Sequence, residues 1–541
     1  MENLLSKSTL AEIQDLLAVA SKDKHAEAEC KVLAGMVHTK DVADRIVSAI
    51  EGIARGSAKE EHYATFTYGD GLRVVVSGAP NIHKVCTTNS FRGVPLMVER
   101  KRRYYEVASA GHGKDVIDVP DLDLRFTLRH EEFLRKDFSG TPMDATSFLR
   151  ILHRKTWVTL DGLLQVDMSM VKTKQKTHRT FADVLRQTPS YEIEIEVLDR
   201  TKETTKSILA TAEKIVAAYQ QSEFVLPKSD LHRYKLEFEM MRMPFINPVT
   251  MERRHMRKDR PHNVLGGYTV TNKADGDRCF LVVMRDRRLI RVTPNLQISW
   301  TGLTAIKDHH VGDVLDGEYL ADRNLFCIFD MYSYRGKDVR RLPLMTTDED
   351  VIKNPLKSRL GCASEFVADL LKDFQVLVDK KPLRVETKMF LAGDGLTMQD
   401  CIRKVLDTKF EYPTDGLIFT PRSTEVAPLA DRRANTWLRV YKWKPADQNS
   451  IDFLVKFKPG ESYDPLTSSR VFKGTLYVSR TVGSSTIYPC ETMTGEYVTP
   501  ELPADLRILA ETRDRVPSPF QPSAPRDIEA YNILIPINER G

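Results

Sequence analysis

Tyr268-Thr-Val-Thr-Asn-Lys273-Ala-Asp-Gly276-Asp-Arg278 is the stretch on which the reading of this chain turns. Its β-branched lead-in predicts a strand, with a lysine at the strand's close and an Asp-Gly turn after it. A lysine attacks phosphorus only as a neutral amine, and its ordinary pKa is about 10.4. Nearby cations and a bound metal disfavour the extra positive charge and so release the nucleophile. Gly276 permits a tight turn close to a nucleotide, and Arg278 offers a fork of donors. Alone, Lys-x-Asp-Gly is as readily a surface lysine before an ordinary turn.

Four further segments follow in order: Asp316-Gly-Glu318-Tyr, Phe326-Cys-Ile-Phe329-Asp330, Thr414-Asp415-Gly-Leu-Ile-Phe419 and Val440-Tyr-Lys442-Trp-Lys444-Pro445. Each alone can be a plain turn, a core strand or a solvated edge. The ordered set resembles the covalent nucleotidyltransferase superfamily, and within it the GTP-dependent mRNA guanylyltransferases. The Lys-Trp-Lys-Pro form, the following Asn449–Phe453 and the lead-in Pro248–His255 resemble capping enzymes of large DNA viruses more than ligases. The resemblance implies that Lys273 takes up GMP from GTP. It implies that Lys442 and Lys444 hold the α-phosphate, and that Arg278 contacts the ribose. Glu318 contacts ribose or metal, Phe329 stacks on guanine, and Asp415 binds a divalent ion.

Toward the N-terminus, Glu27-Ala-Glu29 and Glu192-Ile-Glu194-Ile-Glu196 stand near the two ends of a module rich in short strands. Residues two apart in a strand share a face, so each set of carboxylates projects together and repels itself. A divalent cation is the simplest neutraliser. One such segment is ordinarily a solvent-facing strand; two in one module favour metal. Between them lie Glu99-Arg100-Lys101-Arg102-Arg103, Arg125, Arg154-Lys155 and Lys172. Alternation separates Arg100 and Arg102 from Lys101 and Arg103 without saying which pair faces inward. The pattern resembles the triphosphate tunnel metalloenzymes. By that resemblance Glu27, Glu29, Glu194 and Glu196, with Glu192 next, hold Mg²⁺ or Mn²⁺. Arg100, Arg102, Arg125 and Lys172 contact the triphosphate, and Asp167 orients a water or a basic partner.

These readings imply an α+β chain of 541 residues. An antiparallel β-tunnel (1–225, RNA 5′-triphosphatase), a linker (226–262), a ligase-type nucleotidyltransferase domain (263–450) and an OB-fold-like barrel (451–541) follow in order. The family's late basic motif is not found after Ile451, so the last domain reads as incomplete, or the chain as the front of a longer protein. Lysine plus arginine number 80 against 75 acidic residues, so any nucleic-acid surface is a local patch. Seven scattered cysteines without a CxxC pair argue against a zinc site or disulfide framework and for a reducing compartment. No apolar run approaches the roughly 20 residues that span a bilayer. The N-terminus reads as an amphipathic helix with a capping box at Thr9 and Glu12, not as a signal peptide. Helices are also expected over 201–221 and 364–374. Expected partners are an RNA 5′ end, GTP, a methyltransferase domain or subunit and viral transcription machinery, with no membrane, in host cytoplasm and virion. The alternatives are an ATP-dependent polynucleotide ligase and a non-enzymatic RNA-binding scaffold of the same fold.

Overall fold

A computed structural model describes residues 1–33, 37, 39–107, 113–135, 137–141, 148–173, 181–200, 203–346, 354–376, 383–393, 396–445, 448, 454–463, 470–481, 515–519 and 532–536. Two compact units emerge, Met1–Trp443 and Lys444–Gly541.

The first unit opens with nine strands: β1 (Ala26–Val32), β2 (Lys59–Thr67), β3 (Leu72–Ser77), β4 (Met97–Arg103), β5 (Val116–Val119), β6 (Leu124–Phe133), β7 (Phe148–Val158), β8 (Leu164–Thr173) and β9 (Ser190–Val197). They pair in the order β1-β9-β8-β7-β2-β3-β4-β6, and β6 returns to β1, closing an eight-stranded antiparallel barrel with β5 beside β6. The polarity is inverted from that of an ordinary small barrel. Ala26, Ala28, Cys30 and Val32 of β1 face outward with Phe126, Leu128, Val166, Ile193 and Ile195, while the intervening glutamates face in. An outer apolar face must be covered, and helices Lys7–Lys22, Lys40–Glu51 and Thr205–Gln220 supply Ile13, Leu16, Ile46, Ile50, Ile208, Ala212 and Ile215. A second outer cluster, around Phe66, Val74, Val76 and Val98, lies under helix Ala79–Thr88. Closure also removes the exposed edges that a sheet of this size would present.

Helix Lys7–Lys22 starts one turn earlier than expected: Ser6 is the N-cap and its Oγ accepts from the Thr9 N–H at 3.1 Å. The helices expected over 201–221 and 364–374 form as Thr205–Gln220 and Arg359–Asp373. Within the stretch read as a connector, Lys228–Met241 is helical and packs Tyr234 and Phe238 against Phe280, Val282 and Ile290. At its C-terminal end helix Thr205–Gln220 leads to Phe224, whose ring tilts against Trp300 at 5.2 Å.

Two sheets build the rest of this unit. One orders Asn247–Thr250, Thr436–Trp443, Thr414–Pro421, Tyr268–Ala274 and Leu391–Ala392. The other runs Lys337–Asp338, Leu325–Tyr334, Val314–Leu320, Asp277–Val283, Arg288–Val292, Ile298–Ala305 and Phe374–Val376. The chain passes from one sheet to the other at Asp275-Gly276, directly after Lys273. In the second unit Leu454–Tyr463, Arg470–Thr481, Arg515–Pro519 and Asn532–Pro536 form a four-stranded antiparallel sheet. Asn449–Phe453 lies outside the described residues.

Candidate functional site

A cavity of about 250 Å³ lies between the two sheets. Lys273, Ile418, Thr420, Val440 and Lys442 line it from one sheet; Arg278, Asp316, Glu318, Phe329 and Tyr332 line it from the other. The glycines of the motifs are sterically required. A Cβ on Gly276 would lie 2.7 Å from the Tyr319 carbonyl oxygen, and one on Gly317 would lie 2.3 Å from Phe326 Cζ and 2.7 Å from the Cys327 carbonyl oxygen. Only a bare backbone lets the crossing approach the second sheet.

Lys273 pairs with Gly416 and Ala274 with Thr414, so Asp415 is the extra residue of a bulge. A bulge re-aims its side chain, and here the Asp415 carboxylate accepts both 2.7 and 2.9 Å bonds from Lys273 Nζ. Asp415, expected as a metal ligand, is thus engaged with the lysine, and no cluster of metal donors gathers around it among the described residues. Arg278 is held by Asp316 through two bonds of 3.1 and 2.6 Å, with its Nη1 on the Ile246 carbonyl at 2.6 Å. Its guanidinium lies 5.4 Å from the Phe329 ring centre. Lys444 opens the second unit and Lys442 lines the cavity.

Sequence reasoning missed Lys388. It is buried, donates to the Asn272 carbonyl and lines the cavity. Burial disfavours its charge and brings it down to about 8, with Glu318 opposing. Burial in turn lifts Glu318 to about 7 against Lys388, Lys273 and Arg278. Lys388 and Glu318 thus face one another in the cleft as a buried pair whose charges burial opposes. Trp437 also lines the cavity, and its buried indole N–H has no partner among the described residues. Beneath the cavity, fully buried Arg359 forms a two-bond pair with Asp330, at 2.6 and 3.2 Å.

Inside the barrel, register decides which acids meet. Glu29 stands opposite Glu196, while Lys31 stands opposite Glu194. Carboxylate oxygens of Glu27, Glu29 and Glu196 all lie within 4.8 Å of one another. These three are hard oxygen donors that fit Mg²⁺ or Mn²⁺. Glu194 is instead bound by Lys31 at 2.6 Å and Arg154 at 3.4 Å, and Glu192 by Arg150. Glu194 and Glu192, both expected as metal ligands, are thus turned to cations and away from the three-carboxylate cluster, because the ladder offsets β9 from β1; within that cluster Glu27 and Glu29 also meet Lys101. Burial works against the ionised Glu194, yet Lys31 and Arg154 hold it down to about 2. Glu196 lacks such a partner: burial, then the carboxylates of Glu27, Asp167 and Glu194, lift it to about 8.

The basic face left open by alternation is settled by packing. Val98 lies in the outer core, so Arg100 and Arg102, two and four residues on, face out with it. Lys101 faces in, contacting Glu27, Glu131 at 2.9 Å and Glu29 at 3.9 Å. Lys172 shares the outward face of Val166 and Met168 and donates to the Leu185 carbonyl. Arg125 is half-exposed at the barrel's end, clamped by Asp118 at 2.5 and 3.3 Å. The expected phosphate contacts at Arg100, Arg102 and Lys172 are thus corrected. The inward cations include Lys31, Arg73, Lys101, Arg129, Arg150 and Arg154, and Arg125 shares their face at the barrel's end. Asp167 holds Arg154 at 2.8 Å and accepts from Thr156 Oγ1 at 2.6 Å.

The chain thus carries an inward-charged barrel that gathers carboxylates and a two-sheet domain whose cavity presents an amine. Residues 212–446 match the family model described as mRNA capping enzyme, catalytic domain, which bears out the resemblance drawn from the motifs. The chain is 25% identical over 320 residues to a probable mRNA-capping enzyme of Acanthamoeba polyphaga mimivirus, covering 50% of this chain and 26% of that protein. It is 27% identical over 197 residues to the mRNA-capping enzyme of African swine fever virus (strain Badajoz 1971 Vero-adapted), covering 36% of this chain and 19% of that protein. It thus spans about a quarter or less of these relatives' length. The solved triphosphatase of the mimivirus capping enzyme aligns at 16% identity and TM-score 0.32, over 39% of this chain and 98% of that one.

Proposed function

We propose that this chain caps mRNA: the barrel removes the RNA 5′ γ-phosphate and the central domain transfers GMP to the resulting diphosphate end. The observation that carries the reading is the placement of Lys273. It closes a strand where the chain crosses between two sheets, facing a cavity that also presents Lys388, Lys442 and Glu318. Lys273 Nζ, once deprotonated, attacks the α-phosphorus of GTP; the bond to the β-phosphate oxygen breaks and pyrophosphate leaves. Lys442 and Lys388 offset the charge that develops on the phosphate. Phe329 offers its ring to the base. An oxygen of the diphosphate RNA end then attacks the same phosphorus, the P–N bond breaks, and Lys273 regains its proton.

In the barrel, Glu27, Glu29 and Glu196 would hold Mg²⁺ or Mn²⁺. When bound, such an ion polarises the γ-phosphate and lowers the pKa of water. Arg73, Lys101, Arg129, Arg150 and Arg154 bind and orient the triphosphate, and Asp167 fixes Arg154 in place. Asp415, whose carboxylate orients Lys273 Nζ, would be the group to hold a divalent ion at this site. A viral setting in host cytoplasm or virion, and a methyltransferase acting next on the cap, complete the proposal.

The test is incubation with α-labelled GTP or ATP and divalent ion, followed by mapping of any acid-labile adduct. GMP on Lys273 supports capping, whereas AMP would favour ligation. Release of labelled γ-phosphate from triphosphate RNA, lost in Glu29→Gln, tests the barrel separately.

A further inference from the structure

Outside both candidate sites, His309, His310 and Asp373 bring a nitrogen, a nitrogen and an oxygen within 4.8 Å of one another. Lys307 precedes the short turn Asp308–His310, and Asp373 is the last residue of helix Arg359–Asp373. Both ring Nε2 atoms aim at one oxygen: His309 Nε2 is 3.5 Å and His310 Nε2 3.3 Å from Asp373 Oδ2. Lys307 occupies the other oxygen, Oδ1, at 2.6 Å, and so leaves Oδ2 to the imidazoles. Asp369 adjoins the cluster at 3.9 Å from His310, but Arg335 and the Tyr334 hydroxyl already bind it at 2.7 and 2.8 Å.

We propose that His309, His310 and Asp373 form a binding site for a divalent transition metal of the zinc class. Two imidazoles and a carboxylate are the donor set that zinc and its neighbours take, whereas Mg²⁺ and Ca²⁺ prefer oxygen alone. His310 is 0% exposed, and its Nδ1 lies 2.9 Å from Asp313 Oδ2, itself a buried carboxylate. That bond fixes the tautomer in which Nδ1 carries the proton and the Nε2 lone pair points at the cluster, the carboxylate–histidine arrangement that supports metal ligands. Phe366 and Phe374 pack against the His310 ring and prevent its rotation. The last carbonyls of a helix favour a nearby cation. His309 is 39% exposed, so the ion has an entry path and water completes its shell.

The test is titration of the full chain with Co²⁺ in a large excess of Mg²⁺, which fills the oxygen-only carboxylate sites. The expected result is a visible band of nitrogen-ligated Co²⁺ that saturates at one equivalent and is removed by Zn²⁺. His309→Ala, at an exposed position, and Asp373→Asn, which keeps the side-chain shape, each weaken binding by roughly tenfold or more. Glu29→Gln leaves the band unchanged. Absence of a saturable band in the wild-type chain, or an undiminished band in both variants, overturns the assignment.

Discussion

Replacing Glu196 by glutamine is expected to stabilise the metal-free barrel while abolishing its response to divalent ions. Burial and the carboxylates of Glu27, Asp167 and Glu194 raise Glu196 from its ordinary 4.5 to about 8. The folded state then binds the proton more tightly than the unfolded chain does. Below about pH 4.5 both states are protonated and the site contributes nothing to the pH dependence. Between that pH and about 8 the folded form loses stability by up to about 1.4 kcal/mol per pH unit, and above 8 the whole penalty, roughly 5 kcal/mol, is present. Glutamine mimics the protonated acid at every pH, so the variant escapes the loss. The assay is urea unfolding in chelator from pH 5 to 8.5, followed through buried Trp157, the barrel's own tryptophan. Wild type should lose stability across this range and Glu196→Gln should lose much less. Added Mg²⁺ or Mn²⁺ should restore the wild type at pH 8 and leave the variant unmoved. Parallel stability curves for the two proteins in chelator would refute the idea that these three carboxylates crowd one another in the absence of an ion.

Four further outcomes follow from the geometry. Lys101→Met should destabilise the barrel by roughly 3–5 kcal/mol, because Glu27 and Glu131 lose their buried counter-ion, and should stop γ-phosphate release. Arg102→Met, on the outer face, should retain that activity; equal loss in a phosphate-release assay would contradict the face assignment. Asp330→Ala should cost about 3–5 kcal/mol in thermal unfolding of the central domain, since it leaves Arg359 buried without its carboxylate. Gly276→Ala should prevent GMP labelling of Lys273, because its new methyl meets the Tyr319 carbonyl at 2.7 Å and opens the crossing between sheets.

The acidic strands were legible because alternation alone places Glu27 with Glu29 and Glu194 with Glu196. Which of them meet was not, since that depends on register: Glu29 lies opposite Glu196, and Glu194 opposite Lys31. The Glu99–Arg103 strand defeats sequence reasoning for a related reason. It carries cations on both faces, and only Val98, packed outward, fixes its orientation. Helix Lys228–Met241 was hidden among flanking prolines, with Tyr234 and Phe238 its main buried apolar residues. Lys388 follows a short strand with no glycine turn beside it to flag it, and its importance arises from burial beside Glu318, about seventy positions away. The motif lysine and its partners were readable because the glycines that allow their approach stand next to them in the chain.

Helix Thr205–Gln220 has a consequence for dissecting the protein. Its apolar side roofs the barrel through Ile208, Ala212 and Ile215, while the segment leaving it is fastened to the central domain. The Gln221 carbonyl receives Arg291 at 3.0 Å, and Phe224 fills the space over Gly302, where an added methyl would lie 2.3 Å from the ring. The capping-family match starts inside this helix, at residue 212. A cut placed there would strip the cover from Ala28, Cys30 and Ile195 and expose a greasy flank, so the severed front half should aggregate. A cut after Gln221 keeps the roof but takes from the far half's Arg291 and Gln297 the carbonyls of Gln221 and Gln220 that they bind. One rod is thus common property of both halves, and neither can be excised without damaging the other.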